Sequence, residues 1–144
     1  SILRGDKISV FNYGKHRRDF TYIDDIVEGV MRVLDKQAEP NLSWDNKSPD
    51  PGSSIAPWRV YNIGNSRPVE LMDFIAAIEE ALGKRAEIEL LPQQPGDVLD
   101  TYADVTALVD EFGYKPETSV QQGVVKFVEW YLRYHSESEL VEGK

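Results

Sequence analysis

Cysteine is absent from the chain, and histidine occurs only at His16 and His135. The first absence excludes a disulfide framework and a thiolate metal site, and two histidines so far apart in sequence argue against a histidine-based metal centre. Positive charge is also scarce: 16 Lys and Arg stand against 25 Asp and Glu, for a formal net charge of -9. That balance argues against general nucleic-acid binding, which neutralises phosphates over a broad basic face. No apolar run approaches the length of a membrane span and no charged-then-apolar leader precedes the first strand, so a soluble, cytoplasmic protein is expected, with neither nucleic acid nor membrane as partner. The motifs of self-contained chemistry are missing too. No glycine fingerprint for a dinucleotide, P-loop, Gly-x-Ser-x-Gly elbow or His-Glu-x-x-His helix occurs. The adjacent pairs Asp24-Asp25 and Glu79-Glu80 cannot face each other on one element and read as caps and solvated surface.

Against this acidic background, Lys15, His16, Arg17 and Arg18 stand together in the stretch YGKHRRDFTYIDD. A basic cluster is often a solvated patch, and Arg18 could simply pair with Asp19 or Asp24. Two considerations favour an anion site. Arginine suits forked recognition of phosphate, and an acidic protein that binds an anion needs a local reversal of field. The segment reads as a basic loop, a strand over 19–23 rich in β-branched and aromatic residues, and a helix opening at Asp24-Asp25. Loops at strand ends are the usual carriers of ligand-binding side chains.

The 144 residues, 41% of them apolar, suffice for one domain with a core. Ile2 and Leu3 before Gly5 read as the last turn of a helix, and together with the lack of an initiating Met this suggests a chain that begins mid-domain. A strand over 7–11 carries Ile8 and Val10 on one face, and Asn12-Tyr13-Gly14 turns the chain. The spacing of Ile26, Val27, Val30, Met31, Val33 and Leu34 predicts a helix over 26–36, capped by an Asp25/Glu28 box. Its apolar face is broad enough to suit a partner's cover. Residues 37–57, rich in Pro, Asn, Ser and Asp, form a long loop, either a lid carrying Trp44 or an inert insertion.

A strand over 59–64 ends in glycine, with Asn62 near its end. A helix follows between Pro68 and Gly83, then a half-exposed strand over 86–90. The polar segment 91–100 precedes a short helix that Asp104 caps and Gly113 ends. The last helix spans about 120–134, opened by a Thr118/Gln121 or Ser119/Gln122 box, with Val124, Phe127, Val128 and Tyr131 inward. Residues 1–136 are expected to form one subdomain containing the 37–57 loop, and 137–144 an acidic tail that frays.

The stretches VFNYGKHRRDFTYIDDIVEGV, RVYNIGN followed by PVELMDFI, LPQQPGDVLDTYADV, and GYKP leading to FVEWY resemble, in order, the C-terminal half of NAD-dependent nucleotide-sugar epimerases of the extended short-chain dehydrogenase group, nearest to UDP-glucuronate 4-epimerases. The resemblance implies an α/β fold: a substrate-binding subdomain of short strands and about four helices, with the Rossmann half, its NAD and the catalytic Tyr-x-x-x-Lys pair upstream of Ser1. None of the seven tyrosines is followed by Lys four residues later, so no catalytic or cofactor-binding residue is expected here. In that family the sugar is transiently oxidised at C4, turns over and is reduced on its opposite face, which requires a firm hold on the nucleotide and a loose one on the sugar.

Carried over by motif, Val10 and Phe11 fall where the family's strand contacts uracil, Arg18 matches the arginine on the diphosphate, and Asp97 lies near the uridine ribose. Gln93 and Gln94 stand where several relatives place an arginine, so Arg17 and Gln94 join the substrate-binding set, with Asn62 as a further member. The implied partners are a UDP-sugar and the Rossmann half. Self-association or swapping through the uncovered apolar helix face is the corollary. A 4,6-dehydratase or decarboxylase of the same group, and a non-catalytic acidic interaction domain, are the competing readings.

Overall fold

Two short strand pairings, each joining segments distant in sequence, set the architecture. A computed structural model describes residues 1–142, with side chains described to residue 136. After a single 3-10 turn at Ile2–Arg4, closed by Gly5 in the left-handed region, strand β1 (Lys7–Val10) runs parallel to β4 (Glu87–Leu90), Ile8 opposite Ile88 and Val10 opposite Leu90. Strand β2 (Arg17–Arg18) runs antiparallel to β3 (Val69–Glu70), with Arg17 opposite Glu70. Four helices complete the described chain: α1 (Ile23–Leu34), α2 (Leu71–Leu82), α3 (Thr106–Phe112) and α4 (Val120–Glu142). This is the α/β arrangement of short strands and four helices that the sequence implied.

Helix α2 ends where expected, at Gly83 in the left-handed region, and α3 ends likewise at Gly113. Of the two boxes considered for α4, Ser119/Gln122 forms. Ser119 N donates to Gln122 Oε1 at 3.0 Å, and Gln122 N donates to Ser119 Oγ at 3.2 Å. The core lies where α2 crosses α4, with Ala77, Val124 and Val128 buried and Phe74, Ile78, Ala81, Leu82 and Val120 packed around them. Phe127, expected inward, is half-exposed instead. Helix α4 also continues past 134, and the side chains of the acidic tail lie outside the described residues.

Three local expectations give way to longer-range bonding. The 19–23 segment is not a strand: after Arg18 the chain is held by side chains, and Phe20 stacks on Phe74 of α2. Asp19 N donates to Thr101 Oγ1, while the Asp19 carboxylate accepts from Ser66 N, Arg67 N and Ala103 N at 3.0 to 3.2 Å. The 59–64 segment likewise finds no ladder. Only Arg59 makes a bridge, with Ser53, and the side chains of Tyr61 and Asn62 bond to Glu111 and to the Asp104 carbonyl. Helix α1 starts at Ile23, three residues early, so Asp25 is not its cap. Asp25 is buried in the first turn and accepts from Thr118 N and Oγ1 at 3.1 Å, fastening α1 to the entry of α4.

Gly64 shows how closely these segments meet, since a Cβ there would lie 2.3 Å from Ala103 Cβ and 3.0 Å from Asp19 Oδ2. The 37–57 loop has no regular helix or strand but is internally tied: Asn41 Nδ2 donates to Ser53 Oγ, and Gly52 N to Asp50 Oδ1. By contrast α1 turns much of its apolar face outward. Ile23, Val27, Val30 and Met31 are each more than half exposed, and Leu34 is 73% exposed.

Two outcomes are expected. Asp19→Ala strips the acceptor from three backbone N–H groups in two other segments and should cost about 3 kcal/mol or more in urea unfolding; a loss below about 1 kcal/mol would show that Asp19 is not a tie point. The Tyr61 phenol is pushed up to about 12, first by burial and then by its 2.6 Å hydrogen bond to Glu111 and the repulsion of that charge. Because the folded value is raised, this stabilisation is complete below pH 10 and is lost as pH rises towards about 12. The phenolate absorbance difference between wild type and Tyr61→Phe should therefore develop above the ordinary phenol value of 10, towards about 12.

Candidate functional site

The site begins where β1 ends. Val10, buried, gives its carbonyl to Leu91 N, and Leu91 returns its own carbonyl to Tyr13 N, both at 2.9 Å. Between these bonds the chain makes a tight 3-10 turn, Phe11–Gly14, in which Asn12 and Tyr13 both take positive φ, 51° and 52°. Asparagine tolerates that conformation, but for tyrosine it is strained, and such strain persists only where surrounding bonds enforce it. Here Asn12 Nδ2 donates to the Lys15 carbonyl and Tyr13 N is held by Leu91. Phe11 is half-buried in the same turn.

The 91–100 segment then runs across to β2. Arg17 N donates to the Leu99 carbonyl at 3.0 Å, Thr101 N donates to the Arg17 carbonyl at 3.2 Å, and Arg17 and Asp100 form a parallel bridge. The polar loop is thus clamped at one end by β1 and at the other by β2. Alternation along this extended segment sends His16 and Arg18 to the loop side and Arg17 to the other. Arg17 meets Glu70 at 3.3 Å, an ion pair with both side chains about half exposed, whose contribution is small.

Arg18 is engaged more tightly. Nη1 donates to the carbonyls of Arg17 and Leu99, both at 2.9 Å, while Nη2 donates to the Val98 carbonyl at 2.7 Å and to Asp97 Oδ1 at 3.1 Å. These bonds all use the terminal nitrogens, and Nε–H makes no hydrogen bond among the described residues. The other Asp97 oxygen, Oδ2, lies 3.4 Å from His16 Nε2, and Gln93 Nε2 donates to the Asp97 carbonyl. Asp97 N in turn donates to the Gln94 carbonyl, closing the Pro-Gly-Asp turn.

Of the residues singled out from the sequence, the structure therefore brings Arg18 and Asp97 into direct contact. It joins Gln94 to Asp97 through the backbone and ties Val10 and Phe11 to the start of the same loop. Arg17 lies alongside but on the opposite face. Asn62 is not drawn in: it is exposed, and Nδ2 donates to the Asp104 carbonyl at 3.1 Å, beyond the loop. His16, read as part of an exposed basic cluster, is 3% exposed. The sequence-level signal for that burial is its i, i+2 relation to Arg18, which places both on the face that the loop covers. Asp19 also escaped notice as a site residue, although it fixes the strand end from which Arg18 projects.

The chain matches the family described as GDP-mannose 4,6 dehydratase over residues 2–127. It is 53% identical over 135 residues to Protein CapI of Staphylococcus aureus, covering 94% of this chain and 40% of that protein. It is 43% identical over 132 residues to a protein of Rhizobium meliloti (strain 1021) named probable UDP-glucuronate 4-epimerase, covering 91% and 39% respectively. Among solved structures, MoeE5 in complex with UDP-glucuronic acid and NAD superposes with a TM-score of 0.70 at 26% identity, covering 92% of this chain and 38% of that one. The chain thus spans about 40% of the length of the curated relatives it matches. The strained turn after β1, the clamped 91–100 loop and the Arg18–Asp97 pair accordingly sit in a chain that belongs to the GDP-mannose 4,6 dehydratase family.

Proposed function

We propose that this chain is the nucleotide-holding, C-terminal portion of an NAD-dependent UDP-glucuronate 4-epimerase, inactive by itself. The observation that carries the proposal is the Arg18–Asp97 pair, which joins β2 to the 91–100 loop and leaves the guanidinium Nε–H as the donor for a phosphate oxygen. Around it, the end of β1 at Val10 and Phe11 offers backbone for a base, and Asp97 offers a carboxylate for ribose hydroxyls. Arg17, paired with Glu70 on the opposite face, joins Gln94 and Asn62 as the outer members of the set. NAD would carry the redox step from outside this chain. The glycines of this chain lack the strand-linked dinucleotide fingerprint, so the residues present do not suit that cofactor.

The exposed apolar face of α1 supports the same division, because a surface of this kind is rarely left uncovered. An N-terminal Rossmann half would cover it. Relatives named UDP-glucuronate 4-epimerases, among them the Rhizobium meliloti protein and one of Arabidopsis thaliana that is 41% identical over 141 residues, favour epimerisation of that sugar nucleotide. The family description keeps a 4,6-dehydratase as the second reading. The two differ in product: an epimerase returns a sugar of unchanged oxidation level, whereas a 4,6-dehydratase loses water and leaves a methyl group that proton NMR detects.

The hold on the nucleotide is tested by titrating the 144-residue chain with UDP. Binding should weaken about tenfold or more in Arg18→Ala, the loss appropriate to a charge-assisted contact. Equal affinity in wild type and variant would remove Arg18 from the site, and no UDP binding at all would favour a non-catalytic interaction domain. Size-exclusion chromatography with light scattering should show the isolated chain self-associating through α1, and Val27→Glu with Leu34→Glu should abolish it. A monomer at high concentration would count against a missing cover for that face.

A further inference from the structure

His16 presents a contradiction on purely physical grounds. Its imidazole is 3% exposed, yet Nε2 is buried with no hydrogen-bond partner among the described residues. Native folds seldom leave such an atom unpaired, because burial strips its water without a replacement bond. The carboxylate oxygen facing it is Asp97 Oδ2 at 3.4 Å, beyond a good N–H···O⁻ bond by about half an ångström. Asp97 is held on its other oxygen by Arg18, from the same face of the strand. One carboxylate on a polar loop is therefore flanked by two side chains two residues apart, one engaged and one just short of engagement.

We infer that His16 is a positioning residue that latches the 93–99 loop through Asp97 when a nucleotide is seated. With a proton on Nε2, the imidazole donates to Asp97 Oδ2 once the loop moves inward by a few tenths of an ångström. No proton changes hands. The bond satisfies the orphaned atom and orients the carboxylate from both sides. His16 itself touches no part of the ligand, since the Asp97 side chain and the loop lie between. This latch rests on the nucleotide-holding role proposed above and adds to it a dependence on a residue outside the ligand's reach.

The latch makes a prediction that a phosphate-contacting histidine does not. In the 144-residue chain, His16→Phe should weaken UDP and uridine by the same factor, about tenfold, because what is lost is loop order and not a phosphate contact. His16→Gln, which can place an N–H donor near the same point, should recover much of that loss. In wild type, with only two histidines to assign, the His16 ring signals in NMR should shift on adding UDP while those of His135 stay. Thermal unfolding by circular dichroism establishes that each variant is folded. Wild-type UDP affinity in a folded His16→Phe, or a loss for UDP without one for uridine, would overturn the latch while leaving the nucleotide-holding role intact. Failure of wild type to bind UDP would sink that role and the latch together.

Discussion

A single carboxylate, that of Asp19, holds together the segments on which the rest of the site is built. It accepts from Ser66 and Arg67 on one loop and from Ala103 on another, while its own N–H is held by Thr101. Charge-assisted bonds to backbone N–H groups are stronger than neutral ones, and here they replace a sheet ladder that never forms. The requirement is steric as well as electrostatic. Gly64 approaches so closely that a Cβ would press into Ala103 and the Asp19 oxygen together. Because Asp19 follows Arg18 directly, the same node fixes the backbone from which the guanidinium reaches the Asp97 carboxylate and the carbonyls of Val98 and Leu99.

The basic cluster that stands out in an acidic chain turns out to be largely neutralised from within. Arg17 lies against Glu70, Arg18 against Asp97, and His16 is turned inward towards the same Asp97. Much of the field that charge counting would offer a ligand is therefore already spent on holding the loop. An anion arriving at Arg18 meets a guanidinium whose geometry is fixed beforehand, so less side-chain entropy remains to be lost on binding. Attraction at long range is weaker for the same reason. In the proposed role this suits a site that must grip a nucleotide through shape and directed bonds, with charge supplying only part of the affinity.

What could be read from the sequence was local. The stripes of α2 and α4, the glycine stops at 83 and 113 and the Ser119/Gln122 box are all set by residues within a turn or two of one another. What misled was β character without a partner. The 19–23 and 59–64 segments have the residues of strands, but a strand exists only through its ladder, and apart from the short tie of Arg59 and Val60 to 52–53 their hydrogen bonds go largely to side chains distant in sequence. Asp25 failed as a cap for the same reason, since Thr118 claims its carboxylate. The site followed this division. Arg18 stood out as a cation and Asp97 was singled out only by resemblance, while their pairing and the burial of His16 needed the loop's path to be known.

The distribution of apolar surface bears on how far the chain is a finished unit. Its buried hydrophobic residues are few among those described, and several of them, Leu108, Tyr114 and Val105, sit under α3 and its flanks, away from the α2–α4 contact. Meanwhile α1, the helix with the most pronounced apolar stripe, buries only Asp25 and Gly29, the glycine being pressed against Tyr114 and Ile63. A helix this apolar on its outer side gains little from the present contacts and much from any surface laid over it. In the proposed parent that cover would be the Rossmann half, which would seat α1 and, through the Asp25–Thr118 bonds, steady the entry to α4.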